Sequence, residues 1–394
     1  MVKKKQIFKF LFFFLCSKLI ILLLVLITKS NIFQIFQIEN LGNSDLEWND
    51  LHYKRADIKN DPHYTRQKSV VLINTGTLNS DSFRLQLAHI LATIKKFNPK
   101  AIGIDHTFSN SFRIGTEELI SEVNNNPLIV VADDEESKKN HQYITFKIKK
   151  GNVDFPDLYT IRRYYSDTST FGFQLAKMAF SKKIQTGLFS QKEFTIHYST
   201  QDGGISESAG RGVNFKSIDG KRLLQCQDSL AYYKGIMKNK IVVIGHLGTI
   251  ENDVEDRHRV PIDTVNIMLR DRTMYGSVIH ANAIENIIHP SSCFSEMSDL
   301  QNTILQETLF ILFLLLLFCE LGKLVNLLIL VVFSILYLIF VLKIMEYNIY
   351  IKVSNTLLYL LFIEEFYEVL QPFYVKLSKK LKMRKQDEKS IKRS

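Results

Sequence analysis

Apolar and polar positions divide the chain into three regimes. Phe10 to Thr28 is almost wholly apolar, broken only by Ser17 and Lys18. Leu309 to Leu321 and Leu324 to Leu342 form a second apolar block. A further candidate, Ile349 to Ile363, is interrupted by Lys352. A helical span needs roughly 17–25 mostly apolar residues, so these stretches read as membrane segments. The long region between them mixes polar and apolar residues as a water-soluble domain does.

Within that region the periodicity alternates between strand and helix. Ser69 to Ile73 (SVVLI) is a short buried-strand run, and Asn74 to Thr77 is a turn. Phe83, Leu87, Ile90, Leu91, Ile94 and Phe97 then form a helical stripe that ends at Asn98-Pro99. Ala101 to Ile104 is a second strand, which makes one βαβ unit with parallel strands. Thr116 caps a helix with Glu117 and Glu118 in its first turn, and Leu128 to Val131 is a third strand. The middle is less regular. Tyr143 to Ile148, Tyr159 to Tyr165 and Phe194 to Tyr198 are expected strands, Phe171 to Phe180 a helix, and Asp228 to Gly235 a short helix. The apolar run Ile241 to Ile244 reads as a buried strand ending at Gly245. The apolar set Val278, Ile279, Ala283, Ile284, Ile287 and Ile288 reads as an amphipathic helix. The expected fold class is an α/β extracytoplasmic domain with a mixed, largely parallel sheet, plus α-helical transmembrane segments.

Charge changes this picture by fixing a topology. The net charge of the 394 residues is +10. Lys3, Lys4, Lys5 and Lys9 stand at the head, and the tail from Lys376 onward holds nine basic and two acidic residues. These ends account for the whole excess, so the middle is close to neutral. Basic residues beside spans stay on the cytoplasmic side, which places both ends inside and calls for an even number of spans. The expected organisation is a cytoplasmic head (1–9), a span (10–28), a linker (29–61), an extracytoplasmic domain (62–298), spans at 305–321 and 324–342, a fourth candidate span (349–367) and a basic cytoplasmic tail (373–394). The protein is thus expected in the inner (plasma) membrane, with membrane lipids in contact with the tail. A nucleic-acid binder would spread its charge over a folded face, so none is expected as a partner. The first apolar run has no A-x-A-like cleavage site, which favours an uncleaved anchor over a signal peptide. Cys226 and Cys293 fall on the exported side, where they either pair or remain two buried thiols.

Candidate chemistry gathers at strand ends. Asn74, Asp105 and His246 each follow an expected strand, and ligands bind beyond the carboxyl ends of open parallel sheets. Asp253, Asp256 and His258 lie in the loop after the last of these strands, and His280 opens the HANAIEN run. Asn74, Asp105, His246, Asp253, Asp256 and His280 form the candidate ligand-binding set for a small polar molecule. The competing reading is that Asp and Asn cap turns and that His280 packs at a helix start. The D-x-x-D-x-H spacing matches no metal pattern, so neither a metal nor a cofactor is expected. There is no G-x-S-x-G, H-E-x-x-H, P-loop or dinucleotide fingerprint, so the chain is not expected to be an enzyme.

Two stretches resemble a known family. NKIVVIG (239–245), an acidic loop, Pro261 and MYGSVIHANAIENII (274–288) resemble the close of a CHASE-two domain. That family is the second class of cyclase- and histidine-kinase-associated extracellular sensory domains. VVLINTG (70–76) and PKAIGIDHTFS (99–109) resemble its opening, with Asp105 at the family's aspartate. Asn74 stands where many members carry an aspartate. Asp256 resembles the acidic residue before the family's threonine-proline, although here Val260 precedes Pro261.

The resemblance covers roughly residues 69 to 288. It implies an extracytoplasmic sensory domain with an undefined small-molecule ligand. Family members often end in an output module, whereas about twenty residues follow the last expected span, too few for a domain. The resemblance therefore implies a multipass sensor that signals through a separate partner protein. The alternative is a ligand-free structural or scaffold membrane protein; a membrane-bound hydrolase is the third reading.

Overall fold

A computed structural model describes residues 7–16, 68–180, 192–248, 256–351 and 368–380, apart from stretches that include 135–143, 199–204, 207–214, 226–228, 262–272, 291–294 and 318–322. The chain divides into two compact units, His52–Glu296 and Met1–Leu51 with Met297–Ser394. The helices are α1 (Ile7–Cys16), α2 (Phe83–Lys95), α3 (Thr116–Asn124), α4 (Phe171–Phe180), α5 (Gly220–Gln225), α6 (Leu230–Met237), α7 (Gly276–Ile288), α8 (Asp299–Leu317) and α9 (Lys323–Met345). A further helix covers 368–380. The main strands are β1 (Val70–Asn74), β2 (Ala101–Ile104), β3 (Ile129–Asp133), β4 (Lys149–Asn152), β7 (Ile205–Ser206), β8 (Phe215–Asp219) and β9 (Ile241–Gly245). Shorter strands are β5 (Arg163–Tyr165), β6 (Glu193–Thr195), β10 (Arg257–Arg259) and β11 (Thr273–Tyr275).

The main sheet has the order β4-β3-β2-β9-β1-β8-β7, and every pairing in it is parallel. Antiparallel pairing occurs in the ladders β10–β11 and β5–β6. The central strands are apolar on both faces because both faces are covered. One face carries α2, α3, α5 and α6, whose Leu87, Ile90, Leu91, Leu119, Leu223 and Met237 pack on Ile73, Ile104, Val131 and Ile244. The other face carries α4 and α7. Gly103 admits α4: a Cβ there would lie 2.7 Å from Leu175 and from Phe171.

β9, late in sequence, sits between β1 and β2 and pairs with both. It joins two halves of the sheet that the βαβ unit leaves apart. Its register puts Asn74 beside Gly245 and Ile104 beside Ile244. The carboxyl ends of β1, β9 and β2 therefore form one continuous edge.

The structure corrects two local expectations. The strand expected at Tyr143 to Ile148 begins instead at Lys149, where the KKGN sequence forms a polar edge strand. Charged residues on an edge discourage pairing with other chains. β7 and β8 were absent from the expected set, because neither is a purely apolar run.

In the second unit, Phe13, Phe310, Leu314, Leu330, Leu370 and Tyr374 form an apolar cluster that ties α1, α8, α9 and the 368–380 helix together. Among the described residues one stretch, Leu328–Met345 within α9, is long and apolar enough to cross a membrane. Leu328, Val332, Leu336 and Phe340 are among its exposed side chains, a surface suited to hydrocarbon. The described part of the expected span 305–321 lies in α8, and the expected span 324–342 lies in α9. The expected span 10–28 is described only to Cys16, and residues 352–367 of the fourth candidate lie outside the described residues.

Two glycines give opposite expectations for stability. A Cβ at Gly151 would lie 2.4 Å from the Phe171 backbone, so Gly151→Ala should destabilise the domain by about 1–3 kcal/mol through overpacking. Gly235 lies in α6 with open space around its missing Cβ. Gly235→Ala should stabilise by about 0.5–1 kcal/mol through helix propensity. Denaturation of the two variants beside the parent measures both.

Candidate functional site

α7 dictates the site. All thirteen of its residues are buried, including Ser277, His280, Asn282, Glu285 and Asn286. A helix buried on every side must satisfy its polar side chains inside the protein. Asn286 accepts from the His197 backbone N–H at 2.7 Å and donates to its carbonyl at 3.2 Å. Asn282 donates to the Val278 carbonyl at 3.0 Å. Ser277 and His280, at the amino end, face the carboxyl edge of the sheet.

Asp105, immediately after β2, is the centre of that edge. Its Oδ2 accepts from Ser277 Oγ at 2.5 Å, and its Oδ1 lies 4.0 Å from His280 Nε2. This approach depends on Gly245, where a Cβ would fall 1.8 Å from Ser277 Oγ. Asp256 approaches from the other side. Its backbone, in the left-handed region at φ 58°, accepts from Gly276 N–H at 3.1 Å. A Cβ on Gly276 would lie 3.0 Å from its carboxylate. Two carboxylates thus meet at the positive end of the α7 dipole. His258 Nε2 stands 3.4 Å from Asp256 Oδ1.

The hydrogen bonds around His280 assign its tautomer. Tyr164 Oη accepts from Gly172 N–H at 3.0 Å, so its own proton is free to point at His280 Nδ1, 2.9 Å away. Nδ1 is then the acceptor, and Nε2 carries the proton on the side of Asp105. The imidazole stacks on Phe155 at 4.8 Å and meets the edge of Phe171 at 5.3 Å. Phe155 also touches His258, at 5.2 Å between ring centres. Burial drives the His280 value down to about 3, so it is neutral. Burial, and then the charge of Asp256, lift Asp105 to about 6.

The remaining expected residues fall differently. Asn74 accepts from Gly76 N–H (2.9 Å) and Leu247 N–H (3.0 Å) and donates to the Gly248 carbonyl (2.8 Å). Its amide is engaged in joining the ends of β1 and β9. His246 packs against Tyr275, with ring centres 5.9 Å apart. Asp253 lies outside the described residues, as do Cys226 and Cys293. Asp105, Asp256 and His280 are therefore the expected residues that come together. Sequence reasoning missed Ser277, Tyr164, Phe155 and His106, and placed His258 in the loop with Asp256. His106 Nε2 is 2.8 Å from Thr75 Oγ1, and burial lowers its pKa. Ser277 carried a usable signal, since it lies one helical turn before His280 and beside a glycine.

A cavity of about 510 Å³ opens beside this cluster. Asn152, Asp154, Tyr165, Asp167, Ser169 and Thr170 line it. Asp154 precedes the Phe155 that stacks on His280, and its charge acts on that imidazole. Among the described residues no group of three or more His, Cys, Asp or Glu side chains is placed to hold a metal ion. The arrangement offers carboxylates, a hydroxyl and a neutral imidazole, which suit hydrogen-bond donors and cations.

The opposed pKa shifts make a pH prediction. Asp105 is raised from 3.8 to about 6, so the folded state holds the extra proton in that window. Its contribution to stability falls as pH rises from about 4 to about 6. His280 is lowered from 6.5 to about 3, so its contribution rises with pH across an overlapping window. In the parent the two trends offset each other. Asp105→Asn should therefore gain stability relative to the parent as pH rises through that window, by roughly 2–3 kcal/mol. Denaturation curves at a series of pH values measure the difference; parallel pH profiles would contradict the assignment.

Comparison with known proteins bears on the same region. Searches of curated proteins and of solved structures return no match. Among protein families, the CHASE2 domain matches residues 20–320, which include the whole sheet, α7 and every residue of the Asp105 cluster. The chain belongs to the CHASE2 family of non-catalytic, extracytoplasmic sensor domains.

Proposed function

We propose that this protein is a multipass membrane sensor whose extracytoplasmic domain reads a small polar or cationic ligand at the Asp105 cluster. The observation that supports this most is the placement of Asp105, Ser277, His280 and Asp256 around the amino end of one fully buried helix. A ligand that alters the Asp105–Asp256 charge pair acts directly on α7. It biases the domain between two arrangements through its unequal affinity for them. Output passes to a separate partner protein. Both termini lie in the cytoplasm, as the basic ends require.

A ligand-free scaffold is the second reading. It draws on the hydrogen bonds that Ser277, His280, Asn282 and Asn286 make within the protein. The two readings separate on Asp105→Ala combined with Asp256→Ala. Under the sensor reading, a panel of small amines and cations contains a compound that stabilises the parent, by about 2.7 kcal/mol at a hundredfold excess over Kd. The double variant loses that stabilisation. Under the scaffold reading, no compound discriminates parent from variant, and partner pull-down is equal for both. Topology is checked separately by protease on intact spheroplasts, which should cut within 62–298 and spare 373–394.

A further inference from the structure

The far end of α7 carries a second polar arrangement, at the amino edge of the sheet. Glu285 is 6% exposed. Its Oε1 accepts from the backbone N–H of Ser69 and, at 3.0 Å, from that of Val70. These are the residues at which the chain enters β1. The same entry is held by Lys240, whose Nζ donates to the Lys68 carbonyl at 2.6 Å, and by Ile241 N–H, which donates to the Ser69 carbonyl at 2.9 Å. Lys68 is close enough to act on the Glu285 charge, and His289 Nε2 stands 3.8 Å from Oε2. Lys240 and Lys68 thus supply positive charge from two other segments.

A carboxylate taken out of water is a poor way to gain stability, because desolvation offsets most of the attraction to nearby positive charge. Its value lies in holding one specific arrangement. The segments it holds are telling. Residue 68 follows, in sequence, the stretch that begins with α1. Residue 289 precedes α8 and α9. One carboxylate therefore fastens the incoming strand to the outgoing helix, and the other end of that helix carries Ser277 and His280.

We infer that Glu285 is the positioning residue that couples α7 to the entry of β1, so that displacement of the Ser277 end loosens the chain at Ser69 and Val70. This rests on α7 moving as a unit and on no ligand. Its failure is therefore distinct from failure of the sensor reading.

The test applies the displacement mechanically. Gly245→Ala puts a Cβ where Ser277 Oγ now sits, 1.8 Å from its ideal position, and pushes on the start of α7. Hydrogen–deuterium exchange is followed on the full-length protein in nanodiscs, with overlapping peptides resolving the Ser69 and Val70 amides. Exchange there should accelerate about tenfold, while β3 amides stay within twofold of the parent. Ser277→Gly in the same chain removes the clash and should restore the slow exchange. Glu285→Leu alone, which removes the acceptor oxygen, should show fast exchange at Ser69 and Val70, with no further increase when Gly245→Ala is added. Unchanged exchange at the two amides, or equal acceleration across the sheet, overturns the coupling. If Gly245→Ala does not accumulate, Ser277→Thr applies a smaller push at the same contact and is read in the same way.

Discussion

The structure depends on the complete burial of a helix that is not apolar. Unpartnered polar groups in a protein interior cost several kcal/mol, so each polar side chain of α7 constrains whatever lies opposite it. Ser277 requires Asp105, and Asp105 in that position requires glycine at 245. His280 requires the Tyr164 hydroxyl, which in turn accepts from the Gly172 amide at the start of α4. Asn286 fixes the His197 backbone, and Glu285 fixes the entry to β1. The helix consequently dictates the positions of β1, β2, β9, α4 and the 197 segment at once. A change at any of these contacts is felt along its length, because a helix is stiff and close-packed surroundings transmit strain.

The sheet supplies the frame that makes such a helix meaningful. β9 closes the gap between β1 and β2, so the centre of the sheet exists only when a late segment has returned to an early one. The carboxyl edge it completes brings Asn74, Gly245 and Asp105 side by side. Membership of the CHASE2 family gives this arrangement its context as a sensor domain. The geometry adds a physical account of how a carboxylate pair at one edge bears on chain segments at the other.

Much of this was legible in the sequence, for physical reasons. The apolar runs at 70–73, 101–104, 129–131 and 241–244 are buried on both faces and could hardly be anything but central parallel strands. Polar residues directly after such runs must stand on one edge, which is why Asp105 was identified. Asp256 and His280 followed from the same stretch. The insertion of β9 between β1 and β2 was not legible, because strand order is set by long-range packing rather than by local pattern. Edge strands such as KKGN carry too little apolar signal to be seen. Asn74 forms a turn clamp that the sequence did not separate from a ligand group, since the two share the same residue type and position. Ser277 and Tyr164 were missed because their importance lies in a single hydroxyl each, aimed by the fold at a partner more than a hundred residues away.

The account turns on Asp105 being a buried carboxyl held against Ser277 and opposed by Asp256. Its ionisation reports that environment directly. Carboxyl ¹³C shifts of the full-length protein, recorded across pH with Asp105 assigned by its Asp105→Asn variant, give the midpoint. The account predicts a midpoint near 6 for Asp105, falling when Asp256 is replaced by asparagine. A midpoint in the ordinary aspartate range, about 4 and indifferent to Asp256, would contradict it.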